Sequence, residues 1–172
     1  MIMNLVQTLA KEHSRAQCDR IVKYIGEDAG RFNELVQTFL DGPYRITQRA
    51  AWPLRYCVEY HPQLILPHLK AIIRHLKTPG LHDAVKRNTV RILQFITIPR
   101  SLQGRAAAIC FDLFRNTEEP VAVRVFSMSV LARIAHDQPQ LKSELKILIE
   151  DQLPYASAGF LSRARKVLKQ LE

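Results

Sequence analysis

Glycine is scarce in this chain, six residues of 172, and cysteine scarcer still at three. With so few glycines and only short β-branched runs, strands joined by tight turns are not expected. Cys18, Cys57 and Cys110 stand singly, in odd number and without zinc-like or redox-like spacing. That excludes a disulfide framework and fits a reducing compartment, so a cytoplasmic protein with three small, buried thiols is expected. No stretch approaches the roughly 20 unbroken apolar residues of a membrane helix. The opening MIMNLVQTLAKEHSR has no basic segment ahead of its apolar residues and no small-residue cleavage site, so it reads as a first short helix. Catalytic signatures are missing too: no glycine-rich phosphate loop, no Gly-x-Ser-x-Gly elbow, no His-Glu-x-x-His. The expectation is a non-enzyme without cofactor or metal.

What the chain has is helical periodicity. Apolar residues make up 47% and charged residues 24%, the balance of a globular protein. Ile65, Leu69, Ile72 and Leu76 form one stripe at three- and four-residue steps, with Leu66 and Ile73 beside it. Leu102, Ala106, Ile109 and Leu113 form a second, and Leu141, Leu145 and Leu148 a third. Proline and turn residues punctuate them at Asp41-Gly42-Pro43, His61-Pro62, Thr78-Pro79-Gly80, Ile98-Pro99, Asn116 to Pro120, Gln138-Pro139 and Leu153-Pro154. These signals predict helices over 4–11, 14–27, 30–41, 46–60, 62–77, 82–98, 100–116, 120–137, 139–152 and 157–171. Pro53 and Pro67 fall inside two of them and should kink the helix or delay its start.

A repeat of about 38 residues runs through the pattern. Arg49, Arg87, Arg124 and Arg163 recur at spacings of 38, 37 and 39, each early in the first helix of a pair. Pro62, Pro99 and Pro139 follow the first three and open the second helices. With Gln48-Arg49-Ala50-Ala51-Trp52-Pro53, Asp83-Ala84-Val85-Lys86-Arg87, Glu119-Pro120 through Val123-Arg124 to Leu131-Ala132, and Phe160 to Leu168, the chain resembles the HEAT-repeat (armadillo-type) family. The resemblance covers about 44–171 well and 14–41 by helical pattern only. It implies an all-α fold, an α-α superhelix of about four helical hairpins (14–41, 46–77, 82–116, 120–152) plus a capping helix at 157–171, in one domain spanning 1–172. Single hairpins cannot bury their apolar faces, so neighbours stack. The helix at 120–137, apolar nearly all round, demands burial on both sides. The last helix carries Arg163, Arg165, Lys166 and Lys169 and can face water. Regular register assigns Arg49, Arg87, Arg124 and Arg163 a structural role, tying helices to neighbouring turns. Trp52 reads as core packing.

Charge supplies the functional reading. Residues 70–115 hold nine basic side chains against Asp83 and Asp112, a net +7 of the chain's +9. Lys70, Arg74 and Lys77 share one stripe of a second helix, and in a HEAT-type stack second helices line the concave face. Arg105 and Arg115 lie on the next second helix. These five form the candidate binding groove. Such a groove suits an acidic protein partner or a nucleic-acid backbone, and a scaffold or adaptor binding an acidic protein is the leading expectation. HEAT proteins of the DNA-alkylation-repair type bind duplex DNA on a basic face and are glycosylases, which makes nucleic-acid binding the alternative. Their catalytic positions do not map onto this chain. A module docking within a larger assembly is the third reading, and a monomer or weak homo-oligomer is expected. His61, His68, His75 and His82 recur every seven residues, but His68 and His75 stand about 10 Å apart along a helix, too far to share a metal.

Overall fold

The computed structural model describes residues 3–172, and every regular element among them is helical. The helices divide between two compact units, one ending at Ile96 and one from Thr97 to Glu172. The first holds α1 (Leu5–Lys11), α2 (Arg15–Ile25), α3 (Ala29–Asp41), α4 (Tyr44–Tyr60), α5 (Leu69–His75) and α6 (Asp83–Leu93). The second holds α7 (Arg100–Arg115), α8 (Val121–Asp137), α9 (Lys142–Gln152) and α10 (Ala158–Leu171). The unit boundary falls between α6 and α7, inside the hairpin the repeat register places at 82–116.

Local chemistry sets the helix starts. The side chains of Asn4, Ser14, Asp28 and Ser157 each accept a hydrogen bond from the backbone N–H three residues on, satisfying a donor that the first turn leaves open. Pro43, Pro99 and Pro120 precede α4, α7 and α8, where the missing N–H costs nothing. Gly26 ends α2 at φ 48°, a conformation a side chain would strain.

The two internal prolines behave differently. Pro67 lies in a 3-10 segment, Pro62–His68, and α5 begins only at Leu69, so the helix read over 62–77 starts late. Pro53 sits buried inside α4, which continues to Tyr60. Burial of the ring among apolar neighbours offsets the lost backbone bond.

In the first unit α4 is the hub, packing on α1, α2, α3 and α6. Phe32, Leu35, Phe39, Leu54, Ile65, Leu69 and Ile72 are fully buried around it, each worth roughly 1.5–3 kcal/mol of transfer free energy. The stripe from Ile65 to Leu76 is buried as expected, but Leu66 is 46% exposed, because the 3-10 turn rotates it off the core face. In the second unit α8 packs against α7 and α10, which explains its lack of a polar face. Phe160, Ala164, Val167 and Leu171 of α10 are buried while Arg165, Lys166 and Lys169 are exposed, so that helix has one wet side.

A cationic candidate binding pocket between α4 and α6

The helical period brings two sets of chemistry to one cleft of the first unit. On α4, Gln48, Ala51, Trp52, Arg55 and Tyr56 recur at three- and four-residue steps and share a face. On α6, Arg87 and Arg91 stand one turn apart, with Asn88 and Ile92 beside them. His13, just ahead of α2, closes one end. The cleft they line measures about 420 Å³.

Three guanidinium groups meet there with little to neutralise them. Arg55 lies 3.6 Å from Glu59, and its charge sits 5.1 Å from the Tyr56 ring centroid and 5.0 Å from that of Phe95. Its Nε is buried without a hydrogen-bond partner. Among the described residues, the side chains of Arg87 and Arg91 have neither an ion pair nor a hydrogen bond. Partial burial and the neighbouring charges of Arg55 and Arg87 make the Arg91 guanidinium less basic than usual. Such like-charge crowding is relieved when an anion enters.

The walls are aromatic and amide. Trp52 is half-buried and meets His13 edge to face, ring centroids 5.1 Å apart. Tyr56 is more committed: its hydroxyl accepts from Arg15 Nη1 at 2.7 Å, and the Arg15 guanidinium lies 4.5 Å from its ring centroid. Among the described residues, the side-chain amides of Gln48 and Asn88 make no hydrogen bond. The cleft thus offers fork-shaped cation donors, one accessible indole and two uncommitted amides.

The candidates named from sequence are placed elsewhere. Lys70, Arg74 and Lys77 are exposed on α5 and the turn behind it, outside the cleft walls. Arg105 is exposed on α7, while Arg115 is ion-paired to Glu144 and lies 5.1 Å from the Phe111 ring centroid. Three of the recurring arginines hold neighbouring elements. Arg49 Nη1 donates to the Leu9 and Ala10 carbonyls at 2.8 and 2.9 Å. Arg124 donates to the Phe114 carbonyl at 3.4 Å and to Gln152, with Phe160 against its charge. Arg163 donates to Ser129 at 2.8 Å. Arg87 stands apart, lining the cleft. Trp52 lines it too, where core packing had been expected.

The residues of this cleft carry a local sequence signal of their own. Trp52 and Tyr56 four apart, and Arg87 and Arg91 four apart, sit on first helices of successive pairs, whereas the basic stripe Lys70, Arg74 and Lys77 belongs to a second helix. The four regularly spaced histidines do separate jobs. His61 lies 3.4 Å from Glu27, His68 faces the Phe32 ring and His82 caps α6 and stacks on Tyr44. His75 is half-buried on α5, and burial makes it and His68 harder to protonate. The three thiols are buried and unpaired, pushed up to about 11 for Cys18 and about 12 for Cys57 and Cys110 by burial.

A second cleft, of about 440 Å³, lies in the second unit between the start of α8 and the start of α10. Val121, Tyr155 and Phe160 give it a more apolar lining around Arg124, and Tyr155 is 92% exposed. No helix of the described residues is long and apolar enough to cross a membrane.

Comparison with known proteins gives one match. A family model described as a HEAT repeat domain covers residues 5–171. Neither the curated proteins nor the solved structures compared yielded a match.

Proposed function

The chain belongs to the HEAT-repeat family, whose members are typically non-catalytic interaction scaffolds, and from that premise we propose that it binds an anionic macromolecule through the α4–α6 cleft. The observation that carries this reading is the convergence of Arg55, Arg87 and Arg91 on one cavity, with Glu59 as the single ion-pair partner of the three among the described residues. Arginine forks suit carboxylates and phosphates alike, so an acidic protein partner and a nucleic acid both fit the charge. The protein-partner reading also draws on the family's usual role, with Lys70, Arg74 and Lys77 as an exposed basic face of the first unit and Arg105 and Arg115 as exposed basic residues of the second. Three unpaired thiols support a reducing compartment, the cytoplasm.

The cleft walls favour the nucleic acid. An acidic peptide would use the arginines and leave Trp52 and the Gln48 and Asn88 amides without a role. A nucleic acid uses all three, through stacking and polar contacts to bases as well as phosphate neutralisation. The deciding experiment is fluorescence anisotropy of labelled single-stranded RNA, single-stranded DNA, duplex DNA and a poly-glutamate peptide at about 50 and 200 mM salt. Neutralising between one and three phosphates of a single strand predicts an affinity loss of about 3- to 20-fold over that salt range. Binding of the peptide alone would return the scaffold to an acidic protein partner.

A further inference from the structure

Resting on the nucleic-acid reading, we propose that the α4–α6 cleft seats a single unstacked nucleotide of a single-stranded nucleic acid, its phosphate on Arg87 and Arg91 and its base against Trp52. Shape argues for one nucleotide rather than a continuous backbone track. The cationic groups are gathered around one cavity of about 420 Å³, within the roughly 300–1,000 Å³ of pockets that hold small organic ligands. A bare phosphate would leave most of that space empty.

Each chemical part of a nucleotide has a matching wall. Arg87 and Arg91, one helical turn apart and uncommitted among the described residues, present two forks to a phosphate. Arg55 is held by Glu59, Tyr56 and Phe95, so it supplies fixed positive charge in the cleft wall rather than a mobile clamp. Tyr56 has Arg15 against its ring and cannot serve as the stacking surface. Trp52 can: it meets His13 edge to face and lines the cleft with an indole that every base can stack on. The Gln48 and Asn88 amides, each a donor and an acceptor, suit the polar edge of a base.

A base locked in a duplex cannot enter such a cleft without leaving its stack. The cleft therefore selects single strands over duplexes of the same sequence. Because Trp52 is the only tryptophan in the chain, its emission reports the surroundings of this one side chain, which lines the cleft.

The test titrates 12-nucleotide oligo(rU) and oligo(dT), the matching duplex, and a phosphoserine peptide into the full chain at about 50 mM salt. Anisotropy and Trp52 fluorescence are read together. Single strands should bind, quench Trp52 and outcompete the duplex. Arg87→Gln and Arg91→Gln should each weaken binding about tenfold, and the double variant should shallow the salt dependence by about 0.7 in logarithmic slope. Trp52→Ala should weaken it by about tenfold, with Trp52→Phe recovering most of the loss. Melting curves of the two arginine variants keep folding separate from binding. Strand binding with unquenched Trp52 and no effect of Arg87→Gln or Arg91→Gln would overturn the nucleotide pocket while leaving the nucleic-acid reading intact. Failure of every oligonucleotide to bind, or a phosphopeptide preferred over all of them, would overturn both.

Discussion

Arg49→Ala isolates what a recurring arginine does for the stack. Its Nη1 donates to the carbonyls of Leu9 and Ala10, which belong to the last turn of α1 and have no intrahelical partner. A helix of seven residues does not persist alone in water, so α1 depends on docking. Leu5 and Leu9 supply the apolar part of that docking, and Arg49 supplies the polar part from α4. A hydrogen bond involving a charged group contributes about 1.5–3 kcal/mol. The two bonds share one nitrogen, so their sum is taken as about 2–3 kcal/mol, including the favourable cation at a helix C-terminus. For a chain of this size that lowers the melting temperature by about 4–12 °C. Circular dichroism at 222 nm measures the shift, and hydrogen exchange resolved to residues 5–11 locates it. Loss of protection should be largest in α1, with Arg49→Lys recovering part of it. A melting temperature within 1 °C of the parent, with α1 protection unchanged, would refute the assignment of Arg49 as a tie between elements.

The same logic reaches other sites. Gln103 is 3% exposed, donates to the Ile98 carbonyl at 3.1 Å and to Asp137 at 2.8 Å, and accepts from Gln138 at 2.8 Å, so Gln103→Leu should destabilise the chain by about 2–4 kcal/mol in urea unfolding; an unchanged midpoint would show that network to be dispensable. Asp28 accepts from the Arg31 backbone N–H, which holds its carboxyl below the usual 3.8. Because the folded value is depressed, its contribution is present above about 3.8 and lost as pH falls through the folded value; Asp28→Asn should flatten that acid loss in α3 exchange rates, and an identical acid profile would contradict it. The thiols, pushed up to about 11 and 12 and buried, should resist a thiol-reactive dye at pH 8 in the native state and react three per chain in denaturant; rapid native labelling would show the core around them to open easily. Leu54→Ala, at a fully buried site on α4, should cost about 2–5 kcal/mol by the same urea assay, whereas Tyr155→Ala, at a 92% exposed residue, should cost under about 0.5 kcal/mol.

Secondary structure and family were legible from residue order alone. Caps, prolines and apolar stripes act within a few residues of themselves, so eight of the ten helices fall within about three residues of their expected bounds, while α5 starts seven residues late and α6 ends five residues early. The late start of α5 follows from Pro67, whose effect on the preceding turn is also local. A 38-residue register is expected where each hairpin presents the same face to its neighbour, and the family match over 5–171 agrees with the resemblance read from it.

The binding chemistry depended on something the register does not encode. Arg49, Arg87, Arg124 and Arg163 occupy equivalent positions, yet Arg49, Arg124 and Arg163 reach carbonyls or side chains of other helices and Arg87 reaches none among the described residues. The difference lies in what faces each one: the end of α1 for Arg49, the end of α7 for Arg124, and the Trp52–Arg55–Tyr56 face of α4 for Arg87. Only packing decides which side chain of a repeat is consumed as a tie and which is left to meet a ligand, because partners distant in sequence become neighbours through helix placement. Sequence by itself determined the helices and the positive charge; tertiary structure decided which helices pack together and where three of those charges line one cleft with an indole.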